Sequence, residues 1–170
     1  PELIFILLLA LLIFGPKKLP EIGPKDAVPV LGCGGLGLVG VSILRARGAK
    51  NIVACDIDDA KLAVARERGA GNTCNLKTEG VKKLLEIAPG GVCGMLDFVG
   101  MPQTVAHAIP GMRKGGRFVL WGLIGGEASL PIPAFGMREI AILGSAVGAT
   151  RDIAELVALV RAGKVALPEV

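Results

Sequence analysis

The chain is poor in the groups that most often carry catalysis. Its 170 residues include no tyrosine, one tryptophan and one histidine, and aromatics make up 4%. Without tyrosine there is no Tyr-x-x-x-Lys pair. His107 falls on a predicted helix with no Cys or Glu at ligand spacing, so it reads as a surface or packing residue and no metal site is expected. Cys33, Cys55, Cys74 and Cys93 are dispersed and form no C-x-x-C, which excludes a zinc ribbon and a disulfide framework. They read as free buried thiols of a reducing compartment. A net charge of +4 with no concentrated basic block gives no electrostatic case for nucleic acid. No internal repeat or low-complexity tract is present.

What the chain has in quantity is glycine (25 residues) and small apolar side chains, within a hydrophobic content of 52%. That composition suits tightly packed parallel strands covered on both faces. The glycines concentrate in Val30-Leu31-Gly32-Cys33-Gly34-Gly35-Leu36-Gly37-Leu38-Val39-Gly40, an apolar strand turning into a helix. Gly32, Gly34 and Gly37 fit G-x-G-x-x-G. Gly32 allows the tight turn, Gly34 lets a pyrophosphate approach the backbone, and Gly37 lets helix and strand pack closely. The free N–H groups and dipole of the helix start attract phosphates. The next apolar run, Asn51-Ile52-Val53-Ala54-Cys55-Asp56, ends in an acid nineteen residues beyond Gly37. A carboxylate there accepts hydrogen bonds from a ribose diol and repels a 2′-phosphate, which favours NAD over NADP. Asp56 also reads as a helix N-cap, and Lys61 as part of a solvated helix face.

The coarse pattern alternates strands near 28–32, 51–56, 71–74, 92–98, 116–121 and 139–145 with helices near 35–48, 58–69, 78–88, 102–112 and 151–162. This predicts an α/β, doubly wound parallel sheet. Pro29 falls inside the first strand, where its missing N–H costs a ladder hydrogen bond.

Residues from about Gly23 to Lys164 resemble the nucleotide-binding (Rossmann) domain of the zinc-type alcohol dehydrogenases, the medium-chain dehydrogenase/reductase family. The stretches that carry the resemblance are Gly32–Gly37, Cys55-Asp56-Ile57-Asp58-Asp59-Ala60-Lys61-Leu62, Glu67-Arg68-Gly69-Ala70, Asp97-Phe98-Val99-Gly100 and Lys114-Gly115-Gly116-Arg117-Phe118-Val119. The resemblance implies NAD as cofactor. Gly32, Gly34, Gly35, Leu36 and Gly37 would meet the pyrophosphate, and Asp56, Ile57 and Lys61 the adenosine ribose. Phe98, Val99 and Gly100, with Trp121, Gly122 and Leu123, would flank the nicotinamide, and Gly144, Ser145 and Ala146 would meet its carboxamide. Trp121 reads equally as core filler. In that family the zinc ligands lie in a separate catalytic domain, so zinc is expected only there and no catalytic residue is assigned in this chain.

The first stretch is different. Leu3 to Phe14 is uninterrupted apolar sequence, closed by Gly15-Pro16-Lys17-Lys18. As a helix it spans roughly 18 Å at ~1.5 Å per residue, short of a ~30 Å hydrocarbon core. Glu2 precedes it and no cleavage site follows, unlike a secretory signal. Lys17 and Lys18 would keep the following chain on the cytoplasmic side. Residues 1–23, with Phe14-Gly15-Pro16-Lys17-Lys18-Leu19-Pro20-Glu21, are similar to the start of the small subunits of the twin-arginine protein translocase. The expected organisation is a hydrophobic helix and hinge over 1–23 and an NAD-binding domain over 24–170.

The leading expectation is therefore an NAD(H)-binding domain of a zinc-type alcohol dehydrogenase without its catalytic zinc domain. It would serve hydride transfer between an alcohol and NAD in the complete protein. Its expected partners are NAD(H), a small alcohol, aldehyde or ketone if a catalytic domain is supplied, the membrane through 3–14, and a second copy of the chain. The expected location is the cytoplasmic face of the membrane, or the cytoplasm if the first segment is not inserted. The alternatives are a membrane component of the translocase, or a chimeric fragment without coherent function.

Overall fold

The computed structural model describes residues 26–145 and 150–165, with backbone only at 150–152. The expected hydrophobic helix and hinge over 1–23, and Ala146, lie outside the described residues.

In chain order the elements are β1 Ala27–Leu31, α1 Gly35–Ala46, β2 Asn51–Asp56, α2 Asp59–Glu67, β3 Asn72–Asn75 and α3 Gly80–Ile87. Then come β4 Val92–Asp97, α4 Pro102–Gly111, β5 Met112–Leu120, α5 Ile132–Arg138, β6 Ala141–Gly144 and α6 Thr150–Arg161. The strands form one parallel sheet in the order β3-β2-β1-β4-β5-β6. Parallel strands need crossovers, and the order reverses direction after β3, so the chain winds both ways from β1. This is the doubly wound sheet that the alternating pattern predicts.

Side-chain alternation divides the core into two layers. Val28 and Val30 of β1, Ile52 and Ala54 of β2, Leu96 of β4 and Val119 of β5 face α1, α2 and α6. Ala27, Leu31, Val53, Cys55, Met95 and Phe118 face α3, α4 and α5. Both faces are dry, which is why β1 reads as a continuous apolar run and not an alternating one. Each fully buried Leu or Val here contributes roughly 1.5–3 kcal/mol relative to exposure.

Pro29 has a physical account in this sheet. The Leu31 carbonyl accepts from Phe98 N–H on the β4 side. Alternate residues of a strand hydrogen-bond toward the same neighbour, so the Pro29 nitrogen also faces β4. The β1–β4 ladder pairs only Val30 with Leu96 and Leu31 with Asp97. Pro29 lies before that ladder begins, and no bond is lost.

Two elements depart from the expected pattern. β5 starts at Met112, directly where α4 ends, and not near residue 116. Val92 pairs with Met112 and Gly94 with Arg117, so Arg113–Gly116 form an irregular excursion. The glycine pair masked this as a loop before a strand. α5 was not anticipated: Pro131, Pro133 and Gly136 hide a short helix. Glu139, in the left-handed region at φ 53°, ends it, and the Arg138 guanidinium donates to the carbonyls of Ile109 (3.1 Å) and Met112.

Candidate functional site

The glycine-rich turn has the geometry its spacing predicts. Gly32 sits at φ +86°, donates its N–H to the Cys55 carbonyl at 2.8 Å, and has Val99 Cγ2 where a Cβ would fall. A Cβ on Gly37 would lie 1.7 Å from the Gly32 carbonyl oxygen. By contrast, a Cβ on Gly34 or Gly35 would meet nothing within 4 Å. Those two positions are open toward whatever lies over the turn. The first helical bond of α1 runs from Leu38 N–H to the Gly34 carbonyl. The N–H groups of Gly35, Leu36 and Gly37 thus precede the ladder, and no side chain caps them. With no acid in this first turn and no side-chain cap, the helix start leaves its N–H groups free for an anion.

Asp56 ends β2 beside this turn and is nearly buried, at 8% exposure. Its Oδ2 accepts Cys33 N–H at 2.6 Å, and its Oδ1 accepts Ile57 N–H at 2.8 Å and Asp58 N–H at 3.1 Å. The carboxylate is thereby fixed against the glycine turn. The N-cap reading of Asp56 is corrected: Asp58 caps α2 through its Oδ1 on Ala60 N–H, 2.9 Å. Cys33 lies beneath, its thiol pushed up to about 12 by burial and by the Asp56 charge. All four cysteines are free and buried. Cys55 and Cys74 pair across β2 and β3. The Cys55 thiol donates to the Val53 carbonyl at 3.6 Å and the Cys74 thiol to the Gly80 carbonyl at 3.4 Å, and the closeness of the two sulfurs pushes Cys55 up and Cys74 down.

The ends of β4 and β5 interlock. A Cβ on Gly100 would fall 1.9 Å from the Gly122 carbonyl oxygen, and one on Gly122 would fall 2.1 Å from the Val99 carbonyl carbon. Asp97, fully buried, organises this crossing. Its Oδ1 accepts the N–H groups of Val99 (2.8 Å) and Gly100 (3.1 Å), and its Oδ2 takes the Thr104 hydroxyl at 2.5 Å. Its carbonyl takes Trp121 and Gly122 N–H, both at 2.9 Å. Burial raises its carboxyl above the usual range despite those hydrogen bonds.

A cavity of about 690 Å³ opens above the carboxyl ends of β1, β2 and β4, and it brings Gly32, Gly34, Gly35, Leu36 and Gly37 together with Asp56, Ile57, Lys61, Phe98 and Val99. Gly100, Trp121, Gly122, Leu123, Gly144 and Ser145 do not line it. Trp121 belongs to the core, its ring 5.9 Å from that of Phe98 and its exposure 8%. Gly122 is locked in the β4–β5 crossing, and Leu123 stands 91% exposed. Gly144 ends β6, and the Ser145 N–H donates to the Leu120 carbonyl at 3.0 Å.

Sequence reasoning missed the opposite wall: Leu76 and Lys77 after β3, and Met101, Gln103, Thr104 and His107 at the start of α4, with Ile124 beyond β5. His107, read as a surface or packing residue, belongs to this wall. The signal was the spacing 103, 104, 107, one face of a helix that leaves a central strand at its carboxyl end. Among the described residues no group of three or more His, Cys, Asp or Glu is placed to hold a metal ion.

A parallel sheet in this order, with a glycine turn and strand-end carboxylate at its switch point, defines a dinucleotide-binding fold. Residues 35–162 match the family model described as zinc-binding dehydrogenase, and the chain belongs to that family. It is 34% identical to an alcohol dehydrogenase of a Moraxella species over 96% of this chain and 48% of that protein. It is 35% identical to a D-xylulose reductase of Scheffersomyces stipitis over 76% of this chain and 36% of that one. The alcohol dehydrogenase of the archaeon Aeropyrum pernix superposes with a TM-score of 0.84 at 30% identity, covering 94% of this chain and 46% of the other. The chain thus spans between a third and a half of the length of these relatives. Residues 1–25 separately match the mttA/Hcf106 family model. No helix among the described residues is long and apolar enough to cross a membrane.

Proposed function

We propose that this chain is an NAD(H)-binding domain of a zinc-type alcohol dehydrogenase. The observation that carries the reading is one cavity that joins the open glycine turn to the Asp56 carboxylate. The residues fit the cofactor. Gly34 and Gly35 leave space above the turn, and the N–H groups of Leu36 and Gly37 hold the pyrophosphate. Asp56, already oriented by Cys33 N–H, accepts the adenosine ribose hydroxyls, and Lys61 stands beside them as a cation. Phe98 and Val99 form the floor toward the nicotinamide, and the Gly100–Gly122 crossing fixes their height. Trp121 packs on Phe98 from the core, and Leu123, Gly144 and Ser145 are assigned to the carboxamide end. When bound, NAD would supply the hydride acceptor for an alcohol carbon in the complete protein, and the residues here would bind and orient it. The zinc that polarises the substrate oxygen would be held by a separate catalytic domain of the complete protein.

The test is calorimetric titration of NADH into the wild-type chain, Asp56→Ala, and a chain starting at Gly23. Saturable binding, weakened at least tenfold by Asp56→Ala and kept by the shortened chain, supports the reading. Absence of binding by the folded protein overturns it.

A second reading concerns 1–23 alone, supported by the match of 1–25 to the mttA/Hcf106 family and by the apolar run Leu3–Phe14. This segment would hold the domain at the cytoplasmic face of the membrane. Flotation with vesicles that is lost on removing 1–22 supports it; equal recovery of both chains in the soluble fraction sinks it.

A further inference from the structure

We propose that Gln103 is the specificity-determining residue for the purine base, reading adenine by its N6 and N7 edge, with His107 completing the same wall. The inference rests on the dinucleotide reading above. If the glycine turn holds the pyrophosphate and Asp56 the ribose, the base must occupy the part of the cavity beyond Asp56. That part is bounded on one side by Ile57, whose apolar side chain is 66% exposed. On the other side it is bounded by the first turns of α4, where Gln103, Thr104 and His107 share a face.

Of these three, Thr104 is already engaged: its hydroxyl is held by the Asp97 carboxylate and the Met101 carbonyl. Gln103 and His107 make no hydrogen bond within the described residues, and both line the cavity. A glutamine amide offers one acceptor and a donor side by side, the complement of the adenine N6–H donor and N7 acceptor. Hypoxanthine presents acceptors at both O6 and N7, and a glutamine cannot satisfy both in that geometry. His107, one helical turn on, has a flat ring that packs beside the base.

NADH and its hypoxanthine analogue, titrated into wild type and Gln103→Ala, test this. Gln103 is exposed on the helix surface, so the variant keeps its fold, which circular dichroism verifies. The expected result is about tenfold tighter binding of NADH than of the hypoxanthine analogue by wild type. In Gln103→Ala the ratio should fall to about one, through loss of NADH affinity, with the analogue unchanged. Gln103→Glu keeps the acceptor that reads N6–H and loses only the donor for N7, which both bases share, so it should weaken both dinucleotides and retain the preference for NADH. Equal affinities in wild type, or a preference that survives Gln103→Ala, overturn the proposal while leaving the cofactor reading standing. Binding of neither dinucleotide by the folded chain overturns both.

Discussion

Gly37 stands directly over Gly32: a Cβ on Gly37 would lie 1.7 Å from the Gly32 carbonyl oxygen, a backbone atom that cannot swing away. The close approach of α1 to the end of β1 therefore depends on one missing methyl group. At Gly34, three residues earlier, the same methyl would meet nothing within 4 Å. The two glycines serve different ends, one the fold and one the ligand.

Gly37→Ala and Gly34→Ala should separate accordingly. Gly37→Ala should lose about 1–3 kcal/mol of stability by forcing the turn apart, and NADH affinity with it. Gly34→Ala should unfold within about 0.5 kcal/mol of wild type while its NADH affinity falls at least tenfold. Urea denaturation beside calorimetry reads both. Equal stability of the two variants would contradict the packing argument.

The crossing of β4 and β5 makes a second prediction. Gly100 sits at φ +71°, and both Gly100 and Gly122 would drive a Cβ into the backbone of the other turn. Gly122→Ala should lower stability by about 1–3 kcal/mol and shift the Phe98–Val99 floor. Its far-from-turn control is Gly90→Ala, at a position with open space but φ +88°, where only the backbone preference of about 1 kcal/mol is lost. A smaller loss at Gly122 than at Gly90 would count against the interlock.

Asp97 gives a pH dependence. Burial raises its folded carboxyl above the ordinary 3.8, so the folded state holds the proton more tightly. Its contribution is complete below 3.8 and is lost as pH rises through the folded value. Asp97→Asn keeps an acceptor for the Val99 and Gly100 N–H groups and removes the titration. The stability of wild type relative to Asp97→Asn should therefore rise as pH falls from 7 toward 4. Asp97→Ala orphans those N–H groups and should cost about 1–3 kcal/mol at any pH. Denaturation midpoints across that range check the sign.

Cys33 should be inert in the folded protein. Burial, then the Asp56 charge, pushes its thiol up to about 12, so at pH 8.5 the reactive thiolate is scarce. Iodoacetamide at that pH should modify Cys33 at least tenfold more slowly in native protein than in urea, followed by peptide mass spectrometry. Equal rates would show the turn open in solution. The same raised value makes its contribution to stability complete below 9.0 and lost as pH rises toward about 12.

How much of this was legible follows from the range of each signal. The glycine turn and Asp56 were readable because both are local: a strand, a turn and a helix start within ten residues, then a charge at the next strand end. The doubly wound sheet was readable because two dry faces impose continuous apolar strands. α5 was not, because its prolines and glycine match a loop and its stability comes from Arg138 reaching back to Ile109 and Met112. Trp121 read equally as core or cofactor contact, and only its packing on Phe98 placed it in the core.

The sequence by itself determined the alternation of the six strands with every helix but α5, the glycine turn, and the acid that closes β2, because these follow from apolar runs, spacing and local residue chemistry. Tertiary structure decided the rest. It placed α4 opposite β2 across the cavity, so that Gln103 and His107 became its wall. It gave the helix cap to Asp58, leaving Asp56 to hold Cys33 N–H. Those outcomes depend on which faces meet when the sheet folds, and a face is shared by residues that are distant along the chain.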